Sequence, residues 1–477
     1  MAGGSVDERR QRVRLTLWKR GGLMQYWKPD GEFYVGDCMP FYHDGVYHLY
    51  WLLDEKHHQA LGGLGGHQWA HASTRDLVHW EHHPLAIAIS ASWEGSICTG
   101  STLYHEGAYY AFYATRRPDR TQHLSLATSS DGVHFVKQTP NPWLVPPPGY
   151  SPYDYRDPHV FRDPETGLFH LLVTASLANP SLAGRGGCLA HLVSADLRDW
   201  RQEEPFTMPG YVGAPECPEH FAWRGWYYLV FSQHGRARYR MSRSPLGPWV
   251  RPAVDTFDGA MARVQKTAPF TGDRRIGVAF VPTREGDRDD GASQYAGHAL
   301  FRELVQHPDG TLGTRFVPEM IPACGDALVL PVHSLTGGVT ETDGCVRISA
   351  PEGMGAAVLV GVPHNARITL RVRPLATTAD WGLYLRSSGA LAGGYALRMH
   401  PPEQRVALGR QSLACVSGLD GPIELDIVQA DSIIDVCVDG RRCVVERCPA
   451  QSGDELGLYV RNGAVAFEAL RVCALTD

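Results

Sequence analysis

Hydrophobic and polar residues alternate along this chain with the period of a β-strand, in short bursts rather than long runs. Tyr47-His48-Leu49-Tyr50-Trp51, Ala108-Tyr109-Tyr110-Ala111-Phe112-Tyr113, Leu168-Phe169-His170-Leu171-Leu172 and Trp226-Tyr227-Tyr228-Leu229 are the clearest. Each follows a tight turn ending in glycine: His43-Asp44-Gly45, His105-Glu106-Gly107, Glu165-Thr166-Gly167 and Trp223-Arg224-Gly225. Such segments predict strands joined by hairpins, and no long amphipathic helical stretch competes with them. A second phrase recurs: Ser73-Thr74-Arg75-Asp76-Leu77-Val78-His79-Trp80, then Ser129 to Phe135, Ser194 to Trp200, and more loosely Ser242 to Trp249. Each copy is expected to close a unit of several strands. A spacing of roughly 50–65 residues suits four-stranded propeller blades with variable loops. A fifth unit is expected from Arg275-Ile276-Gly277-Val278-Ala279-Phe280-Val281 and Tyr295 to Leu304.

The pattern changes near Pro322-Ala323-Cys324-Gly325-Asp326. Beyond it Ala366 to Val372, Ile423 to Val428 and Ile433 to Val438 alternate strictly, as strands with one buried face do. The expected fold is therefore all-β: a five-bladed β-propeller over 1–322, including a lead-in from which Trp18, Tyr26 and Trp27 pack on the body, then a β-sandwich over 323–477. A chain of 477 residues, 43% hydrophobic, with 51 Gly, 33 Pro and 47 aromatic residues, can fill two such cores.

Charge and cysteine usage narrow the partners. A formal net charge of −6 gives no basic footprint, so nucleic acid and anionic membrane are poor partners and a neutral or small polar ligand fits better, the class to which the expected partner, a small sugar or oligosaccharide, belongs. No apolar run reaches membrane-spanning length, and the first twenty residues lack the apolar core of a secretion signal, so a cytoplasmic location is expected. Eleven cysteines without a CxxC pair read as reduced, mostly buried thiols. Cys437 and Cys443 flank an Asp-Gly turn, but a two-residue loop is not expected to set them directly opposite.

Three carboxylates occupy corresponding places in three similar units. Asp37 stands in Gly36-Asp37-Cys38-Met39-Pro40, Asp157 in Arg156-Asp157-Pro158, and Glu216 in Glu216-Cys217-Pro218-Glu219, each just ahead of an aromatic strand. In a propeller the first strands of the units line one central channel, so the three acids are expected to converge there. Acids at equivalent rim positions repel one another, a cost that function explains better than turn stabilisation does. Retaining glycoside cleavage needs such a pair, a nucleophile and a proton donor about 5–5.5 Å apart. Arg156 is expected to keep Asp157 ionised and suited to binding hydroxyls, whereas apolar neighbours and a second acid, Glu219, are expected to raise the carboxyl of Glu216 into a general acid. Asp37 is left as the nucleophile. Cys217 reads as a packing thiol. His67-Gln68-Trp69-Ala70-His71 has metal-motif spacing but lies on a strand without the motif's Glu, so no metal and no cofactor are expected. Asp54-Glu55-Lys56-His57-His58 with its glycine pairs is expected to be a mobile rim loop.

These residues resemble glycoside hydrolase family 32, the invertase, inulinase and levanase family, along nearly the whole chain. The matching phrases are Gly36-Asp37 with Tyr47-His48-Leu49-Tyr50, Gln68-Trp69-Ala70-His71-Ala72 through Trp80-Glu81, Thr99-Gly100-Ser101, Arg156-Asp157-Pro158, Glu216-Cys217-Pro218 and Phe301-Arg302-Glu303-Leu304. The resemblance implies the propeller and sandwich. It also implies Asp37 as nucleophile, Asp157 with Arg156 as transition-state and hydroxyl binder, and Glu216 as acid/base, with Trp69 and Thr99 as further substrate-binding positions. Departures gather in the sugar pocket: Gly36 replaces the Asn of the family's Asn-Asp-Pro-Asn-Gly start, Leu52 stands for a Gln, Leu64 for a Trp, and Cys98-Thr99 for Phe-Ser. A retaining furanosidase, a glycosyltransferase using the same acids, and a sugar-binding propeller without turnover are the readings open at this point.

Overall fold

The computed structural model describes residues 25–476, so Trp18 and most of the lead-in lie outside the described residues. The first half is a succession of antiparallel meanders. The first comprises β1 (Phe33–His43), β2 (Val46–Glu55), β3 (Gln68–Thr74) and β4 (Trp80–His82); the second β5 (Ser96–His105), β6 (Ala108–Arg116), β7 (Gln122–Ser129) and β8 (Val136–Lys137). The third comprises β9 (Tyr150–Arg162), β10 (Phe169–Leu177), β11 (Gly187–Ser194) and β12 (Arg201–Tyr211). Then come β13 (Glu216–Trp223), β14 (Trp226–Gln233) and β15 (Arg236–Ser242), with one bridge from Met241 to Val250 where a fourth strand would stand. The last comprises β16 (Arg263–Phe270), β17 (Arg274–Arg284), β18 (Ser293–Gln306) and β19 (Leu312–Arg315). Sequence pattern had placed the start of this unit at Arg275; its first strand is β16, whose Arg263-Val264-Gln265-Lys266 run breaks apolar alternation.

The recurring phrase does not close the units but turns the chain from the third strand to the short outer one. Its mechanism repeats in the first three copies. Asp76 Oδ1 accepts the N–H groups of Val78 and His79, Asp131 Oδ1 those of Val133 and His134, and Asp196 Oδ1 those of Arg198 and Asp199. The hydroxyl two residues earlier accepts the next free N–H, as at Thr74 from Leu77 and Ser194 from Leu197. A short polar side chain thus does locally what a strand partner would otherwise do.

From Cys324 onward the strands join one 13-stranded antiparallel sheet system wound about the long strand Glu455–Leu475, which pairs with Cys345–Val360, Ala366–Pro374 and Asp380–Ser387. Alternate residues such as Ile368, Leu370, Val372, Leu383, Ile427 and Phe467 fill a single core. Cys437 and Cys443 do sit opposite each other, because the hairpin loop has three residues, Asp439-Gly440-Arg441, with Val438 paired to Arg442; both thiols are free.

The two halves share an apolar seam of Met261, Ala279, Val281 and Phe316 against Val428, Ile433 and Val445. Tyr26 joins it, and its hydroxyl donates to Asp435 at 2.8 Å; Trp27 meets Trp51 edge-on at 5.7 Å. Arg302, fully buried, crosses the seam: its Nε donates to Asp258 Oδ2 at 2.6 Å and its two Nη atoms grip Asp435 at 2.7 and 2.8 Å. Removing the cation leaves two buried carboxylates facing each other. Arg302→Ala is expected to cost about 3–5 kcal/mol in urea unfolding, whereas Arg302→Met paired with Asp258→Asn and Asp435→Asn should recover part of the loss. A single mutant within about 1 kcal/mol of wild type contradicts this account of the seam.

Candidate active site

The first strands of the five meanders share one irregularity. Ladder pairing slips between Val35 and Cys38 on β1, Ile97 and Gly100 on β5, Glu216 and Glu219 on β13, and Arg263 and Lys266 on β16. On β9 it slips opposite Leu172 and Thr174, at Asp157-Pro158. Each slip is a β-bulge, which releases a residue from strict alternation and re-aims its side chain. Asp157, Cys217 and Val264 adopt left-handed φ values of 52° there. The outcome is a cavity of about 530 Å³ whose wall includes Asp37, Thr99, Arg156, Asp157 and Glu216.

Asp37 is 8% exposed and held by two hydroxyl donors: Thr99 Oγ1 reaches Oδ2 at 2.5 Å and Tyr295 Oη reaches Oδ1 at 3.1 Å. Burial pushes its carboxyl up, the Thr99 bond opposes that, and Asp157 adds to the rise. Asp157 Oδ2 accepts the backbone N–H of Cys217 at 3.1 Å, so the bulge of β13 fixes the acid of β9. Arg156 Nη2 donates to Glu216 Oε1 at 2.9 Å, its Nε lies 3.5 Å from Asp157 Oδ2, and its Nη1 meets Asp154. Burial works against the guanidinium's charge, but Asp157, Asp154 and Glu216 outweigh it and hold its pKa above the usual range. The carboxyl of Glu216 is raised, foremost by burial; Arg156 opposes, and Asp157 and Asp37 add.

Three sequence expectations are corrected. Trp69 does not reach the pocket: it is fully buried behind the wall, and its indole N–H donates to the Cys98 carbonyl at 2.9 Å. A Trp near the start of β3 packs between layers, whereas the acids of the pocket come from the bulged first strands. Glu219 is not the like charge beside Glu216: it pairs with Arg275 at 2.6 Å and accepts bonds from Thr267. The rim loop is tied down: His57 Nδ1 contacts the Tyr295 carbonyl at 2.9 Å, and Asp54 Oδ1 accepts the His58 N–H at 2.8 Å. His67 and His71 part company, His67 Nε2 going to Asp54 at 2.8 Å and His71 Nε2 to His48 Nδ1 at 3.0 Å. Asp54, His58 and His67 do gather their ligating atoms within 4.8 Å, but they are engaged with one another and His58 Nε2 also meets Arg116 Nη1 at 2.7 Å.

Tyr295, Asp154, His58, Arg116 and Arg263 escaped the sequence reading. Tyr295 left one signal, Gly36. A Cβ at that position would lie 2.9 Å from the Tyr295 hydroxyl and 3.1 Å from the Leu52 carbonyl, so the glycine that departs from the family's start makes room for the tyrosine that binds Asp37.

An all-β fold whose bulged strands gather three carboxylates and a bridging arginine in one cavity defines a protein built around a polyacidic pocket. The family model for the N-terminal domain of glycosyl hydrolases family 32 matches residues 37–302, and the chain belongs to that family. It is 30% identical over 260 residues to a bifunctional 6(G)-fructosyltransferase/2,1-fructan:2,1-fructan 1-fructosyltransferase of Allium cepa, covering 51% of this chain and 37% of that protein. To the raffinose invertase of Escherichia coli it is 29% identical over 305 residues, covering 58% and 61%. The matches thus span less than two thirds of these relatives' lengths. Fructan 1-exohydrolase IIa of Cichorium intybus has a similar fold, with a TM-score of 0.74 at 16% identity over 95% of this chain and 97% of that one.

Two variants test the hydroxyl pair on Asp37. Thr99→Val removes a bond to the charged form, so the carboxyl rises further, the acid limb of kcat/KM moves to higher pH, and activity on the acid side falls by about tenfold or more. An unmoved acid limb contradicts the role of Thr99. Gly36→Ala forces Tyr295 away and is expected to move the limb in the same direction, with a lower melting temperature because the added methyl also meets the Leu52 backbone carbonyl at 3.1 Å.

Proposed function

We propose that this protein is a retaining glycosidase acting on a β-fructofuranoside or related furanoside. The observation that carries the reading is the gathering of two differently held acids in one cavity: Asp37 receives two hydroxyl donors, Glu216 is bonded to Arg156, and burial raises both carboxyls. The hydroxyl donors oppose the rise at Asp37, as a nucleophile requires, and a raised carboxyl at Glu216 suits a proton donor. In the first step an oxygen of Asp37 bonds to the anomeric carbon, the glycosidic C–O bond breaks, and the leaving oxygen takes the Glu216 proton. In the second, the Glu216 carboxylate removes a proton from water, the water oxygen bonds to the anomeric carbon, and the Asp37 carboxylate departs. Asp157 accepts sugar hydroxyls and Arg156 steadies the charge of both neighbours. Family membership and the fructan- and raffinose-directed names of its relatives support the substrate class.

The second reading, transfer of the glycosyl unit to another sugar, has support from the fructosyltransferase relative. It differs only in the oxygen that enters the second step. A sugar-binding propeller without turnover is the remaining alternative, and retention of all three acids with Arg156 speaks against it. The five meanders are read as five blades of one propeller, the part from 323 as a β-sandwich, and the division at 322/323 as a domain boundary. Eleven free thiols are compatible with a reducing, cytoplasmic setting.

Sucrose, inulin, levan and arabinofuranosides form the panel for a sugar-release assay. Asp37→Asn should lose activity on every cleaved member by several orders of magnitude while melting as wild type does, and Glu216→Gln should lose about 10²–10⁴-fold, least with leaving groups that need no proton. Early NMR spectra should find the product with the anomeric configuration of the substrate. Full activity in folded Asp37→Asn, or inverted product, overturns the mechanism.

A further inference from the structure

Beyond the bulges the same five first strands line a second cavity, of about 340 Å³, which shares no wall residue with the pocket of Asp37 among the described residues. Its wall takes up just past each slip, at Met39, Gly100, His159, Glu219 and Lys266, and reaches solvent at Arg162 and Pro269, which are exposed. Lys266 is 4% exposed. Its ammonium donates to the Gly100 carbonyl at 3.0 Å, and among the described residues it has no carboxylate within ion-pair distance. The three carboxylates of the first cavity have three arginines in their own wall. Glu219, the acid of the second wall, is also spent: it accepts the N–H and hydroxyl of Thr267 and pairs with Arg275. His159 adds a second donor. Its Nε2 lies 2.9 Å from the His220 backbone N–H, which can only donate, and farther, 3.3 Å, from the His220 carbonyl, so the ring proton sits on Nδ1. Burial, then the charge of Lys266, hold the imidazole well below its usual pKa, so the ring is neutral. Nδ1 is buried without a partner, and the hydroxyl of Thr102, on the wall from β5, is in the same condition.

Buried donors without acceptors cost free energy, and a buried ammonium without a counter-charge costs more. Three such groups on one wall call for an acceptor, and the charge of Lys266 calls for a negative one. Water would serve the donors but not the charge. The rest of the wall selects among anions. Met39, Phe41, Val160 and Phe161 are apolar and replace little of an ion's hydration. One uncommitted positive charge balances one negative charge, whereas a sulfate or phosphate dianion brings two. A monovalent, weakly hydrated ion fits both limits. We propose that this cavity is a binding site for an anion of the chloride class, such as chloride, bromide or nitrate, held by Lys266 Nζ, His159 Nδ1 and the Thr102 hydroxyl. The site is distinct from the pocket of the three acids, and the proposal stands apart from the glycosidase reading.

Crystals of the full chain soaked in sodium bromide test the site directly: an anomalous peak is expected within about 3.5 Å of Lys266 Nζ, beside Thr102. In solution, chloride or bromide at about 100 mM should raise the melting temperature saturably by about 2 °C or more, a rise absent with strongly hydrated fluoride at the same ionic strength. Lys266→Gln should abolish both the peak and the rise. Thr102→Val, which keeps the side chain's volume and drops its hydroxyl, should weaken bromide binding several-fold and serves where the glutamine variant does not fold. Density at the site without anomalous signal, which is water alone, overturns the proposal. So does a melting temperature that answers chloride and fluoride alike, or a chloride effect that persists undiminished in both variants.

Discussion

A regular β-ladder cannot point two consecutive side chains to the same side, and the first strand of each meander breaks its register where it reaches the cavity. The site of this protein depends on that break. The slips at Gly36-Asp37, Cys98-Thr99, Asp157-Pro158, Cys217-Pro218 and Val264-Gln265 fall on the first strand of each meander and bring residues from all five to one cavity. They also connect the units: the N–H freed at Cys217 binds Asp157, and the hydroxyl turned inward at Thr99 binds Asp37. Bulges cost ladder hydrogen bonds and, at three residues, a left-handed backbone. The regular strands behind them, with Leu171, Tyr228 and Val278 fully buried, supply the packing against which that cost is held.

Charge is the second constraint. Three carboxylates in a partly dry cavity repel one another, and the protein answers with different devices for each. Asp37 has hydroxyl donors, Asp157 a backbone donor, and Glu216 a shared guanidinium. The donors work against desolvation, which raises the carboxyls of Asp37 and Glu216 alike. Arg116 and Arg263 line the same cavity, Arg116 bonded to His58 and Arg263 within the field of Glu216.

The second half of the chain contributes no wall residue to this cavity among the described residues, yet it is fastened to the first by charge as well as by apolar packing. Arg302 binds Asp258 from the first half and Asp435 from the second, Arg284 binds Glu446, and Arg447 donates to the carbonyls of Val281 and Pro282. Because β17 and β18 carry both these contacts and Tyr295, the seam and the pocket rest on the same strands.

The sequence by itself determined that the chain is all-β, that its first half repeats, and that Asp37, Asp157 and Glu216 hold equivalent places, because alternation, glycine turns and the Ser-Asp-Trp phrase are local signals with local physical causes. It also pointed to Arg156 and Thr99, which stand beside or within the same phrases. Only the tertiary structure decided what faces what. Trp69 shares a phrase with pocket residues and yet is buried behind the wall, and Glu219 lies three residues from Glu216 and yet is held by Arg275 and Thr267, partners that come from other strands. Tyr295, Asp154, Arg116 and Arg263 come from segments without a recurring phrase, and each acts through a partner 2 to 258 positions away in the chain or through a cavity formed by several strands. Whether a charge has a partner is a property of three-dimensional neighbours, and no pattern along the chain encodes it.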